Sequence, residues 1–599
     1  MTDYSDMAST PAPARRSRKR RSGCFVFAVV AVAGLGLVGL FMPFFQSAVV
    51  PAGSVLVVDV RDALPEHSEL DMLEQLFGVT GNDLVAVHAA VSRAARDPRV
   101  SGLLLRVGRP AIGLGRIEEL RSLVERFRGT GKFVVSVLES ADTRGYFLAS
   151  AADEVYVDRI AGIDLLGLQA QAVFVGDVLG KVGLEADMVR VGRYKGAYEQ
   201  LVGSEATPEF REALQATLDS LFSTVVEGIA SGRGMSTDQV ERLIDEGPLT
   251  PERALEANLV DGMLYRDEVL ATLTKSHRGN VPLTEVSVSG YLGASARLPE
   301  RGVALVHVTG TIVDRQGNSL TPMGGIAGAD RFRQAIRAAR EDVNVAAVVV
   351  RVDSPGGTLS GSEAMWREMM LTKAVKPVVV SMGDVAASGG YYIATGAHRV
   401  VAQRGSITGS IGVFGGKFVL GGLLKKLGAH VETASRGAHA GLFDTHRSFN
   451  DEERQTVEKL LGEAYAQFLA RVSTGREFGR ERAESLAEGR VWTGQQALEN
   501  GLVDVHGGLA VAIEEAQQLA GLGRNGLIEP VLFPAEKSLL DLFAGPEAGP
   551  GYLRSLRQLS SGSMDGGAFA LSIADALDRL GIFDGGKPLA LLPYVLRVR

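Results

Sequence analysis

The sequence predicts an α/β chain: two tandem copies of one parallel-sheet domain, preceded by a single N-terminal transmembrane helix. Three observations predict it. The chain matches itself at a fixed offset, short wholly apolar runs alternate with helical patterns, and one uncharged stretch near the start is long enough to cross a bilayer.

The N-terminal element comes first. Residues 1–23 set Asp3 and Asp6 against Arg15, Arg16, Arg18, Lys19, Arg20 and Arg21. Cys24 to Phe45 then carries no charge over 22 residues, and about 20 suffice for a membrane-spanning helix. Flanking positive residues hold their side in the cytoplasm. Everything after Gln46 is therefore expected outside the cytoplasmic (inner) membrane, on a single-pass anchor. A cleaved secretory signal has a shorter apolar core, about 7–15 residues, and a small-residue cleavage site. Phe44-Phe45-Gln46 is a poor one. Cys24 is the single cysteine, which excludes an intramolecular disulfide and a cysteine-based zinc site.

The repeat follows. Val100–Val107 (VSGLLLRV) matches Val345–Val352 (VAAVVVRV), and Gly145–Ala149 (GYFLA) matches Gly390–Ala394 (GYYIA), both at an offset of 245. Ala254–Asp261 (ALEANLVD) matches Ala497–Asp504 (ALENGLVD) at 243. A period this long is a duplicated domain rather than a solenoid. The predicted organisation is a basic tail 1–23, an anchor 24–45, a first copy 52–274, a linker 275–298, a second copy 299–522 and a tail 523–599. Within the first copy, Val55–Val60, Gly102–Val107 and Phe133–Val137 read as strands, with helical spacing over Leu84–Arg96 and Arg116–Arg128. Apolar strands separated by helices imply a parallel sheet covered on both faces. Later each copy becomes helical. Thr207-Pro208 supplies an N-cap and a first-turn proline, and Asn450 to Glu453, like Ser236 with Gln239, is a capping-box signature. The tail is rich in glycine and proline, with a helical stretch near Ala568 to Leu580 and no assignable role. A composition of 46% hydrophobic and 22% charged residues over 599 positions excludes a disordered or collagen-like chain. The net charge of −7 argues against nucleic acid as a partner.

A duplication offers an internal comparison, and the differences carry the chemistry. The second copy reads Asp353-Ser354-Pro355-Gly356-Gly357 after a strand, where the first has Gly108-Arg109-Pro110-Ala111-Ile112. It places Ser388 in Ala-Ser-Gly-Gly-Tyr where the first has Thr143, and Ser410 where the first has Leu165. Conversely, Lys195 of the first copy stands where the second has Ala440. A serine in a tight turn before a helix is a nucleophile geometry, with neighbouring backbone N–H groups facing an oxyanion. The hydroxyl needs a base. None of the nine histidines shares a motif with the serine. A lysine, with an ordinary pKa of about 10.4, serves once desolvation keeps it neutral. Lys195 reaching Ser388 from the other copy meets that need, with Ser410 holding its nitrogen. The same sequence fits a dyad within one chain or across a subunit boundary.

These residues resemble the long form of signal peptide peptidase (protease IV), a serine–lysine protease family with the Clp protease/crotonase fold. The resemblance covers about residues 24 to 520. It rests on Ser354-Pro355-Gly356-Gly357, Ala387-Ser388-Gly389-Gly390-Tyr391, Thr408-Gly409-Ser410-Ile411-Gly412 and the stretch Gly192, Tyr194, Lys195, Ala197, Glu199. It implies Ser388 as nucleophile, Lys195 as general base, Ser410 as the lysine-orienting residue, and Gly357 and Gly389, with Gly356, as the oxyanion hole. It implies no cofactor, cleaved signal peptides and other short apolar peptides as substrates, and a homotetramer on the membrane. Gly196 and Gln200 depart from the family's usual Ser and Pro. The eroded first copy is expected to donate only the lysine. Two other readings compete: a crotonase-like acyl-CoA enzyme, and a catalytically inactive peptide-binding scaffold.

Overall fold

The computed structural model describes residues 50–67, 83–278, 282–294, 302–315, 325–523, 529–534 and 589–591. The basic tail, the expected anchor and the helical stretch near Ala568 lie outside the described residues. Among the described residues no helix is long and apolar enough to cross a membrane.

Each copy is built on a sheet whose central strands are apolar on both faces. In the first copy the order is Gly262–Met263, Glu154–Val157, Phe133–Leu138, Val100–Val107, Ser54–Val60 and Thr284–Ser287, all parallel. The second copy repeats it with Val378–Ala387, Val345–Ser354, Gly302–Thr309 and Val531–Phe533 as the matching run. The duplication extends to a shared irregularity. Ser54 faces Val100 but Val55 faces Gly102, and Gly302 faces Val345 but Val303 faces Ala347. Helices Leu84–Ala94 and Leu114–Arg128 form where the 3.6 spacing placed them.

Two boundaries differ from expectation. Thr284–Ser287, within the stretch read as linker, is the edge strand of the first sheet. Val531–Phe533, within the tail, is its counterpart in the second. Each is three or four residues long, too short for the alternation pattern to stand out.

A third sheet joins the copies. Glu185–Val191 of the first pairs antiparallel with Val413–Val419 of the second, in register over all seven residues. On its other side Gly356–Thr358 pairs antiparallel with the tail strand Leu589–Leu591, which also meets Phe414 through Leu589. Two 26-residue helices, Pro208–Arg233 and Asp451–Arg476, pack outside; Thr207 caps the first and a capping box of Asn450 and Glu453 starts the second. The cores interlock: Ile407 and Val491 pack in the first copy's core, and Val189 in the second's.

Candidate active site

The strand Val378–Ala387 drives an apolar backbone into the interface and ends in the turn at Ser388. Ser388 has φ 55° and ψ −111°, and starts the helix Gly389–Ala394 without using its side chain as a cap. Positive φ is strained for a residue with a Cβ, and such strain gathers at functional turns. The turn holds because the neighbours are small. A Cβ at Gly389 would lie 2.5 Å from Ser362 Oγ and 3.2 Å from Gly357 N. At Gly357 it would lie 1.9 Å from the Ile312 carbonyl oxygen. Gly356 turns the chain with φ +103°. The Ser388 N–H is engaged, donating to Gly409 O at 2.7 Å.

Lys195 arrives from the first copy. The strand Glu185–Val191 ends beside Val413, Gly192 reverses the chain at φ +107°, and Tyr194 N donates to Glu488 O at 2.8 Å. Lys195 Nζ then stands 2.7 Å from Ser388 Oγ, 2.9 Å from Ser410 Oγ and 2.8 Å from the Ser410 carbonyl oxygen. All three residues have no exposed surface. Burial holds the Lys195 amine well below the ordinary lysine pKa, because removing water penalises the charged form. Ser410 shares the positive φ of Ser388, at 51°. All six residues singled out in the sequence thus meet in one place, with Lys195 reaching Ser388 from the other half of the same chain.

The alternatives in the sequence fall elsewhere. Thr143 is buried and helical; its hydroxyl donates to Gly167 O at 3.2 Å and accepts the Leu166 N–H at 3.2 Å. Among the described residues no histidine bonds Ser388. His398 Nδ1 accepts the Val378 N–H, His446 pairs with Asp444, and His307 sits buried with its pKa pushed down to about 3 by desolvation.

Two contributions were not legible as functional. Gly489, at φ +80°, lies against the lysine: a Cβ there would come 2.5 Å from Lys195 N. Gly489→Ala is therefore expected to displace the Lys195 backbone and lower kcat about a hundredfold, since a misplacement near 1 Å costs that much. Peptide turnover by a variant whose thermal midpoint matches the parent checks it, and parental kcat would contradict it. The first copy also gives more than the lysine, contrary to expectation. Its helix Leu114–Arg128 inserts Arg116, Glu118 and Glu119 against the second copy.

The comparisons agree with this architecture. The model of peptidase family S49 matches residues 126–279 and 370–523, once in each copy. The chain is 35% identical over 503 residues to the chloroplastic serine protease SPPA of Arabidopsis thaliana, covering 82% of this chain and 73% of that one. It is 31% identical over 466 residues to protease 4 of Salmonella typhi (75% and 74%), and 30% over 464 to protease 4 of Haemophilus influenzae (74% and 73%). Matches of this extent, falling on both halves of an internal duplication, establish that the chain belongs to peptidase family S49 and is a serine-type peptidase.

Proposed function

We propose that the chain is a membrane-anchored endopeptidase that cleaves signal peptides and other short apolar peptides after their release, through a Ser388–Lys195 dyad. The observation that carries the reading is the buried contact of 2.7 Å between Lys195 Nζ and Ser388 Oγ. The neutral amine accepts the Ser388 proton as Oγ adds to the peptide carbonyl carbon. Its two N–H bonds donate to Ser410 Oγ and Ser410 O, which aims the lone pair at the hydroxyl. The oxyanion takes the Gly357 and Gly389 N–H groups, with Gly356 turning the first of them inward. The C–N bond breaks, the leaving amine takes the proton from the Lys195 ammonium, and an acyl ester remains on Ser388. Water then adds, Lys195 takes its proton, and the ester oxygen recovers it as the acid leaves.

Several features support the substrate class and setting. Gly356–Thr358 and Val413–Val419 flank a strand-wide slot, in which Leu589–Leu591 lies antiparallel to Gly356–Thr358. An extended substrate peptide paired in the same way is held by its main chain. The uncharged run from Cys24, with its basic flank, supports anchoring in the cytoplasmic membrane with the site outside. The repeat supports a head-to-tail homotetramer. Residues 430–436 and 168–174 are the counterparts of the two strands that join the copies, yet neither forms a strand and the first is wholly exposed. Joining one to the other in a neighbouring chain makes a heterologous contact, the kind that builds a ring when its rotation closes.

The test uses detergent-solubilised full-length protein, a fluorophosphonate probe and an apolar fluorogenic peptide. Labelling and cleavage are expected in the parent and absent in Ser388→Ala and Lys195→Ala, and light scattering is expected to give the mass of four chains. Labelling that persists in Ser388→Ala would move the nucleophile. A parent that neither labels nor cleaves would return the chain to the scaffold reading.

A further inference from the structure

We propose that Arg116 of the first copy and Asp384 of the second are a positioning pair that fixes the spacing between the nucleophile strand Val378–Ala387 and the oxyanion strand, here the neighbouring Val345–Ser354 that leads into Gly356 and Gly357. The proposal rests on the reading of Ser388 as nucleophile.

The geometry begins with a bulge. Val352 faces Met382, but Ser354 faces Ala386, so the nucleophile strand carries two extra residues just before its turn. Such a bulge re-aims the chain that follows it, here the chain leading to Ser388. Two carboxylates hold it. Asp353, on the oxyanion strand, accepts the Val385 N–H at 3.0 Å and stitches the bulge to the neighbouring strand. Asp384, within the bulge, faces the other copy. It accepts the N–H of Gly113 and of Arg116, each at 2.8 Å, and the Arg116 side chain through Nε.

Asp384 thereby caps a helix belonging to the other copy. Helix Leu114–Arg128 starts at Gly113, which has no side chain to cap it, and the first turn of a helix leaves N–H groups unsatisfied. The seat is close-fitting: a Cβ at Gly113 would lie 2.4 Å from Asp384 Cγ, and one at Gly115 3.0 Å from Gly383 O. Arg116 is anchored from behind, donating to Leu64 O at 3.1 Å. Its charge lies among Glu66, Asp353 and Asp384, while Arg351 bonds both oxygens of Glu66.

That placement governs whether Asp353 stays ionised. Burial, then Glu66 and Asp384, push its pKa up to about 7, and Arg116 opposes them. An ionised Asp353 accepts the Val385 N–H more strongly than a protonated one, so losing the cation loosens the stitch at higher pH.

The duplication supplies the control. The counterparts of Arg116, Asp353 and Asp384 in the other half are Gly361, Gly108 and Glu139. Glu139 pairs with Arg61 and Arg106 on its own copy. The constellation therefore stands only beside the serine. The eroded copy has lost its own glycine turn and kept a helix that braces the other copy's.

The test measures kcat and KM of the full-length solubilised protein on an apolar fluorogenic peptide from about pH 5.5 to 9, a range that brackets the titration of a buried carboxyl. It compares Arg116→Met, Arg116→Lys, Asp384→Asn and the double variant Arg116→Met/Asp384→Asn. Arg116→Met is expected to lower kcat about tenfold or more with KM within about twofold, and to move the acid limb of kcat/KM to higher pH. Arg116→Lys restores the charge and returns the limb towards its parental position. Residues acting as a unit are not additive, so the double variant is expected to lose no more than the worse single. Parental kcat and an unmoved acid limb in Arg116→Met would overturn the proposal. So would equal losses in the Met and Lys variants that track a falling thermal midpoint, which marks a mere clamp between copies. Fluorophosphonate labelling distinguishes the two levels: label persisting in Ser388→Ala sinks the nucleophile assignment, whereas a normal Arg116→Met sinks the positioning pair alone.

Discussion

Lys195→Met is expected to abolish peptide cleavage and, at the same time, to flatten the dependence of stability on pH. The rate loss follows from the proposed role. Without a base the Ser388 hydroxyl keeps its proton, and general-base catalysis contributes up to about 10⁴. The stability effect follows from burial. In the unfolded chain the amine titrates near about 10.4; in the native protein desolvation holds it well below that. Between the two values the unfolded state binds a proton that the native state does not. Stability of the parent therefore rises with pH across that window, by linkage. Below the native pKa both states are protonated and the full cost of the buried charge is present. Methionine fills the same channel without a titrating group, so its curve lacks this slope and its gain over the parent is greatest on the acid side. The gain is reduced because Ser388 and Ser410 lose a buried partner, a loss of about 1–3 kcal/mol for each group left unsatisfied. Thermal midpoints of both proteins between about pH 6 and 10 decide it, since that range spans the lysine window. Parallel curves would mean that Lys195 is not desolvated in the native state.

Why the serine side was legible and its support was not is a matter of residue type. Gly356, Gly357 and Gly389 stand where a Cβ would strike backbone, a neighbouring side chain or a turn with positive φ. A turn that admits few other residues leaves a mark in any sequence. Lys195 became visible through the comparison with Ala440 and the family resemblance of its stretch, because nothing in that stretch announces burial by itself. The parallel sheets were legible in Val345–Val352 and its counterpart, where unbroken apolar residues admit little else. The edge strands Thr284–Ser287 and Val531–Phe533 are short and half-buried, so their pattern is too brief to read. Arg116 and Glu119 were hidden for the opposite reason. Charged residues on an amphipathic helix ordinarily face water, and only the second copy, far along the chain, removes it.

Arg351→Met is expected to lower apparent stability by about 3–5 kcal/mol, the range for breaking a buried ion pair from one side. Arg351 has no exposed surface, yet its five donors are all used. Nε and Nη2 bond Glu66 at 2.9 Å each, Nη2 bonds Glu119 at 2.7 Å, and Nη1 bonds Ser381 Oγ at 2.9 Å and Met382 O at 3.1 Å. Burial pulls its pKa down, and Glu119 and Glu66 more than reverse that. Methionine leaves two carboxylates inside the interface without the cation they share, and Glu66 keeps only Arg116, 3.7 Å away. Burial already holds the Glu119 carboxyl above its ordinary pKa and Arg351 opposes this, so removing Arg351 raises it further. The native variant binds protons that the unfolded chain does not, so its deficit is expected to shrink as pH falls from about 8 to about 5. Restoring neutrality with Arg351→Met/Glu66→Gln/Glu119→Gln should recover most of the loss at the higher pH. The amide oxygen introduced by Glu119→Gln can still accept the Leu509 N–H, which Glu119 accepts at the start of the helix Leu509–Leu519. Urea midpoints at the two pH values separate the explanations. A deficit equal at both would point to lost packing rather than stranded charge. Arg351 bridges Glu66 and Glu119 of one copy to the nucleophile strand of the other. A deficit that follows charge would therefore mean that the copies are held in register by ion pairing at the same interface that brings Lys195 to Ser388.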